Sequence, residues 1–242
     1  MSDIDHRNTP GQSLANTSVG RPLRRQLLAA GLGLAVAACG RSSVVSDALK
    51  GFQAATFGGP DLPLTRDQIA NLPYASIRAR VGKGPDALMI LGRVDGPDLH
   101  WVSADRIVFA TRNGRIVKTA NLPLDNVRET RFGPNGDPVT NSLHLLGTEG
   151  THAERFVDFQ FDRRYGTRVV SRFDLVGEER LIILDLAFDC VLVRESGRSL
   201  DHNWQFENRY WAEASTGFVW KSMQSVTRDL PPISIEVLKA AA

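Results

Sequence analysis

Apolar and polar positions fall into three successive patterns along the chain. After a polar leader, Met1 to Gly20, and a cluster of Arg21, Arg24 and Arg25 comes an uncharged apolar run, Leu27 to Ala38 (LLAAGLGLAVAA). It is well short of the roughly 20 residues that a permanent spanning helix needs, and it reads as the apolar region of a cleavable export signal. Next, Val44, Val45, Ala48, Leu49, Phe52 and Ala55 recur at three- and four-residue spacing, the stripe of one amphipathic helix ended by Gly58-Gly59-Pro60. Thr65 and Gln68 have the spacing of a capping box, so Arg66 to Asn71 is expected as a short helix closed off before Pro73.

From Tyr74 onward the period changes to two. Ile77, Ala79 and Val81 alternate with Arg78 and Arg80, as in a strand with one buried and one wet face. Ala87 to Leu91 is a more fully apolar run between Gly84-Pro85 and Gly92. Asp105 to Arg112, Asn113-Gly114 and Arg115 to Thr119 predict a tight hairpin, because Asn-Gly tolerates the two positive φ angles of a type I′ turn. Further strand-like runs are Glu154 to Phe161, Arg168 to Leu175, Arg180 to Leu186, Cys190 to Arg194, Trp204 to Trp211, Phe218 to Thr227 and Ile233 to Leu238. Phe132 to Ser142 reads as a long surface loop. Many short strands after one or two short N-terminal helices predict an all-β, antiparallel domain curved into a sandwich or partly closed barrel.

The apolar leader ends in Val36-Ala37-Ala38-Cys39-Gly40, which resembles the bacterial lipobox. Cleavage is expected between Ala38 and Cys39, with Cys39 alkylated to a diacylglyceryl thioether, since the thiolate is the strongest side-chain nucleophile near neutral pH. Each buried CH₂ contributes roughly 0.8 kcal/mol, so two or three acyl chains anchor durably where one does not. The chain then divides into a signal (1–38), an anchor and tether (39–43) and one β-rich domain (44–242). Arg24-Arg25-Gln26-Leu27-Leu28 also resembles the twin-arginine export motif, although Leu23 stands where Ser or Thr is usual; plain leader charge is the other reading.

Charge and cysteine narrow the function classes. The full chain carries 29 Lys and Arg against 27 Asp and Glu. Residues 1–39 hold four arginines and two aspartates, so 25 of each sign remain and the net charge is near zero. No nucleic-acid motif or basic footprint is present, and nucleic acid is not expected as a partner. With Cys39 acylated, Cys190 has no disulfide partner and sits in a mostly apolar stretch, as a buried inert thiol does.

Catalysis, cofactors and a metal are not expected either. His100, His144, His152 and His202 lack the short spacings of a metal site. Asp158 with Asp162, Asp185 with Asp189, and Asp201 beside His202 offer carboxylates of the type a glycosidase pairs, yet such residues more often serve turns and ion pairs at strand ends. Ser103 and Ser222 have no nucleophile elbow, and Gly82-x-Gly84 lacks the rest of a phosphate loop. Aromatic side chains are the remaining candidates for sugar contact, because their faces stack on sugar C–H surfaces: Trp101, Tyr210, Trp211 and Trp220, with Trp211 and Trp220 placed to pair across a turn at Ser215-Thr216-Gly217.

Several motifs together carry a family resemblance. They are Pro73-Tyr74-Ala75-Ser76-Ile77, Trp101 with Ser103-x-Asp105, Thr111 to Thr119 (TRNGRIVKT), Phe206-x-Asn208-x-Tyr210-Trp211, and Thr216 to Gln224 (TGFVWKSMQ). In that order, from about Val44 to Leu238, the chain resembles the YjbF/group 4 capsule lipoprotein family. The resemblance implies a lipoprotein encoded with genes for extracellular polysaccharide production, folded as coiled antiparallel sheets, and it supplies no catalytic residues. The expected role is a non-catalytic accessory factor in exopolysaccharide or capsule production, held on the membrane by lipid on Cys39 and meeting polysaccharide or envelope export proteins. Gly40 and Arg41 include no retention aspartate, which favours the outer membrane, facing the periplasm. A polysaccharide-modifying enzyme and a purely protein-docking lipoprotein are the alternatives.

Overall fold

The computed structural model describes residues 63–241 apart from 142–144, 148 and 162–163. The signal, Cys39 and the stripe from Val44 to Ala55 lie outside the described residues. Helix α1 (Arg66–Ala70) starts at the expected capping box: Gln68 N donates to Thr65 Oγ1 at 3.3 Å and Thr65 N donates to Gln68 Oε1 at 2.8 Å. Lys239 Nζ ties its end down by donating to the carbonyls of Ala70, at 3.1 Å, and Leu72, at 2.5 Å.

Twelve strands follow: β1 (Ser76–Val81), β2 (Ala87–Asp95), β3 (Asp98–Ser103), β4 (Val108–Arg112), β5 (Arg115–Ala120), β6 (Val127–Phe132), β7 (His152–Phe159), β8 (Thr167–Ile183), β9 (Leu186–Ser199), β10 (Gln205–Glu213), β11 (Val219–Gln224) and β12 (Ile233–Lys239). They form one antiparallel sheet in the order β5-β4-β3-β2-β1-β12-β11-β10-β9-β8-β7-β6. Each strand therefore pairs with its neighbour in sequence, except β5 with β6, and β12 closes back onto β1 (Ile77 opposite Val237, Ala79 opposite Ile235). At the single gap, Val127 N donates to Thr119 Oγ1 and Thr130 Oγ1 donates to Val117 O, both at 2.9 Å, so side chains bridge β5 and β6 where a ladder would. The sheet is a nearly closed up-and-down barrel, and these side-chain bonds cover the two edges, β5 and β6, that would otherwise invite aggregation. Inward positions of β1–β8 and β12 bury one large apolar cluster around Ile77, Met89, Trp101, Phe109, Phe159 and Ile233, and a second cluster forms around Phe173, Val193, Tyr210 and Val139.

The Asn113-Gly114 hairpin is present, with φ of 43° and 84°. Glycine is required at 114, because a Cβ would come within 2.6 Å of the Val219 side chain and the positive φ would strain it. Several expectations are corrected. Arg168 to Leu175 and Arg180 to Leu186 are not two strands: β8 runs without a break from the first into the second as far as Ile183, and a bulge between Leu175 and Gly177 inserts an extra residue and swaps the two faces. That interruption of the alternation is what reads as a strand boundary. The chain turns instead at Leu184-Asp185, both with positive φ and neither a glycine. Strands β3 and β6 were not anticipated; β6 is largely exposed and polar, with no apolar alternation to mark it. The run from Asp105 starts with a turn, Arg106 at φ 64°, before β4 begins. The segment expected as a surface loop, Phe132 to Ser142, dips inward: a 3₁₀ turn at Pro138–Thr140 buries Asp137, Pro138 and Val139.

Candidate functional site

The inward rows of β5, β7, β8, β9 and β10 include polar residues at positions where the alternation calls for apolar ones. Glu195 in β9 is wholly buried and lies at the centre. Its Oε1 accepts from Arg155 Nη1 at 2.5 Å and from Ser171 Oγ at 2.6 Å. Its Oε2 accepts from Arg115 Nη2 at 3.0 Å, Asn208 Nδ2 at 2.9 Å and the Tyr210 hydroxyl at 3.0 Å. Arg115 also donates through Nε to Asp137 Oδ1 at 2.9 Å, which pins the in-turned segment to the barrel. Two arginines thus meet two carboxylates. Burial opposes the charge on Glu195, but Arg115 and Arg155 hold its carboxyl far below the usual range. Burial pushes the Tyr210 hydroxyl well above its ordinary value, so it stays a neutral donor.

The segments that carry the family resemblance converge here. Gln224 Nε2 donates to the Gly114 carbonyl at 2.7 Å, and Gln224 Oε1 accepts from Ile116 N at 3.0 Å and from Tyr210 OH at 3.3 Å. Asn208 Oδ1 accepts from Ser225 N at 2.7 Å. The Asn-Gly hairpin, the Asn208-x-Tyr210 pair and the Ser222-x-Gln224 pair are therefore bonded to one another across the interior. This cluster is absent from the sequence-derived candidates except for Tyr210. The available signal was phase: Glu195 falls two residues after Val193, on the same inward row.

The structure separates the four aromatic candidates. Trp101, 3% exposed, donates from Nε1 to Thr111 Oγ1 at 2.8 Å. With Trp220 it lines a mainly apolar cavity of about 70 Å³, together with Ile77, Leu99, Phe218 and Val237. Trp220 packs on Phe188 and Phe218, at centroid distances of 4.0 and 4.8 Å, and its buried Nε1 has no acceptor among the described residues. Tyr210 is fully buried in the ion network, with Arg115 over its ring at 5.3 Å. Trp211 occupies the other face of β10, where Nε1 donates to Glu179 Oε2 at 2.6 Å and Lys221 Nζ lies 5.5 Å from the ring centre. Trp211 and Trp220 are not cross-strand partners: Trp211 opposes Lys221 and Ala212 opposes Val219, with Trp220 the extra residue of a bulge. Ala38 and Cys39 lie outside the described residues.

Asp162 lies outside the described residues; the other acidic residues considered for catalysis are engaged in ion pairs and turns. Asp158 is held low by hydrogen bonds from Arg131, with burial opposing, and it also accepts from Gly166 N at 2.6 Å. Asp201 accepts from Arg168 N at 2.7 Å, and Asp189 faces Arg180 at 3.9 Å. Among the described residues no three His, Cys, Asp or Glu side chains gather as a metal site. Cys190 is buried, and burial first, with Glu213, Asp189 and Glu179 adding to it, pushes its thiol up to about 11.

Fold and interior together define a class: a nearly closed antiparallel meander organised around a buried, mutually neutralised ion cluster. The chain belongs to the family described as Group 4 capsule polysaccharide lipoprotein gfcB, YjbF, whose model matches residues 49–238. It is 28% identical over 191 residues to the protein named "Uncharacterized lipoprotein GfcB" of Escherichia coli (strain K12), covering 78% of this chain and 87% of that one. It is also 28% identical over 186 residues to the "Uncharacterized lipoprotein YjbF" of the same organism, covering 76% and 84%. The crystal structure of the hypothetical lipoprotein YmcC from Escherichia coli (K12) superposes with a TM-score of 0.66 at 27% identity, over 80% of this chain and 96% of that one. The resemblance read from the motifs and the all-β class expected from the patterning both hold. Membership makes the chain a capsule-related, membrane-anchored envelope lipoprotein.

Proposed function

We propose that the protein is a non-catalytic accessory factor in the production or export of exopolysaccharide or capsule, anchored by lipid on Cys39 to the outer membrane and facing the periplasm. The observation that carries the reading is what the barrel does with its strongest chemistry. Arg115, Arg155, Asp137 and Glu195 neutralise one another inside the fold, with side chains between 0% and 8% exposed, and so serve to hold strands and the in-turned segment together. A general acid or base works within reach of a substrate; this carboxylate is enclosed by five donors. The family's capsule lipoprotein description supports the pathway, and the lipobox supports the anchor.

Two experiments test the proposal. The purified full-length lipoprotein, incubated with the host's own polysaccharide, should leave its size distribution and NMR-defined linkages and substituents unchanged; shortened polymer or a lost substituent would make the protein an enzyme. Density-gradient fractionation should place the wild type with outer-membrane markers and leave Cys39→Ser as unlipidated or soluble protein. Inner-membrane wild type, or unchanged fractionation of C39S, contradicts the anchor or its destination.

A further inference from the structure

A polar groove of about 400 Å³ lies on the outer face of β7–β10, bordered by His152, Arg172, Ser196, Arg198 and Gln205 and floored in part by Val170. The register explains it. His152 opposes Arg172, which opposes Ser196; Val170 opposes Arg198, which opposes Gln205. Residues opposite one another share a face, and diagonal neighbours lie roughly 7–8 Å apart, so Arg172 and Arg198 stand as a diagonal pair across the groove. Short side chains at Val170 and Ser196 leave the depression between them. Gly197 completes the floor from beneath: it opposes Phe206, whose ring covers the glycine from the barrel interior so closely that a Cβ there would sit 2.2 Å from Cζ. An aromatic side chain laid over a glycine in the neighbouring strand helps to pin the strand register at that point.

Charge on this face is unevenly satisfied. Glu154 is bonded by Arg168, Glu207 by Arg209 at 2.8 Å, and Asp174 by Arg172 at 2.9 Å with Arg194 3.6 Å away. Arg198 has no carboxylate partner among the described residues, and His152 is exposed beside Arg172. A groove bordered by two arginines, a histidine, an amide and a hydroxyl has the chemistry to take a carboxylate on a guanidinium fork while neighbouring hydroxyls reach Gln205 and Ser196. We propose that this groove binds an anionic polysaccharide segment, one whose sugars carry carboxylates, with Arg198 as the principal contact and Arg172 and His152 beside it. The inference rests on the accessory reading above and names the chemistry of its glycan partner. It also moves sugar contact away from Trp101 and Tyr210, which are spent in the interior.

The test uses the full-length lipoprotein in detergent micelles, titrated with a fluorescently labelled tetramer of galacturonic acid and, in parallel, with a neutral maltotetraose carrying the same label. The uronate should bind, weaken as salt rises, and lose about tenfold or more in affinity in R198A, the loss of one charge-assisted contact. Arg198 bonds no other side chain among the described residues, so R198A should fold as the wild type does. V170E, which puts a carboxylate on the floor, should abolish binding independently. Equal affinity for maltotetraose, wild-type affinity in R198A and V170E, or no uronate binding by the wild type overturns the groove assignment. Those outcomes leave the accessory reading intact, whereas cleavage of polymer by the purified protein would overturn that reading whatever the groove binds.

Discussion

Replacing Glu195 with Gln keeps the shape of the side chain and deletes the central charge. Arg115 retains Asp137 at 2.9 Å, but Arg155, with 8% of its side chain exposed, is left with neutral partners: the amide oxygen of the new glutamine, the Ser171 hydroxyl and the Phe206 ring, 5.4 Å away. One guanidinium is then buried without a carboxylate, and breaking a buried pair from one side costs about 3–5 kcal/mol. In a domain of this size each kcal/mol moves Tm by roughly 2–4 °C, so E195Q should melt about 6–20 °C lower by tryptophan fluorescence or calorimetry. The pH dependence has a definite sign. The folded carboxyl titrates far below its unfolded value, so its contribution is complete above the free-glutamate pKa of about 4.3 and is lost progressively as pH falls below it. Wild-type stability should therefore drop steeply in that acid range, and the E195Q curve should be flatter. A loss under about 1 kcal/mol, or the same acid slope in both proteins, would refute the view that this network holds the barrel.

Gly114→Ala should destabilise by about 1–3 kcal/mol through its positive φ, with more from the Val219 contact, read as a shift in urea midpoint without a change of slope. Cys190, with its thiol raised to about 11, should resist a disulfide reagent at pH 8 in the folded protein and react at once in denaturant; fast reaction in the native state would contradict its burial. Thr65→Ala removes the cap of α1 and should cost about 1 kcal/mol, seen as faster amide exchange in Gln68 and Ile69 while the barrel strands stay protected.

Patterning made the barrel's antiparallel character and the Asn-Gly hairpin legible, because alternation and turn chemistry are local. Strand continuity through the Gly177 bulge was not, since a single inserted residue reverses the phase that alternation arguments depend on. The ion network was hidden for a related reason. Arg115 and Glu195 lie 80 residues apart and Arg155 and Glu195 40 apart, and although its phase with Val193 puts Glu195 on the inward row, nothing local names the partners that neutralise it there until the barrel is formed. Trp211 and Trp220 illustrate the converse error: nine residues across a turn suggested a pair, and a bulge at Trp220 put Lys221 in its place. The family motifs, by contrast, mark the interior well, because Gly114, Asn208, Tyr210 and Gln224 are linked there by hydrogen bonds.

The accessory role is tested most directly by deleting the gene in its own host, restoring it with wild type or C39S, and measuring polysaccharide outside the cell together with its composition and linkage. The account predicts less exported polymer of unaltered chemistry, restored by the wild type and not by C39S. Normal export in the deletion strain, or polymer altered in linkage or substituents, would contradict it.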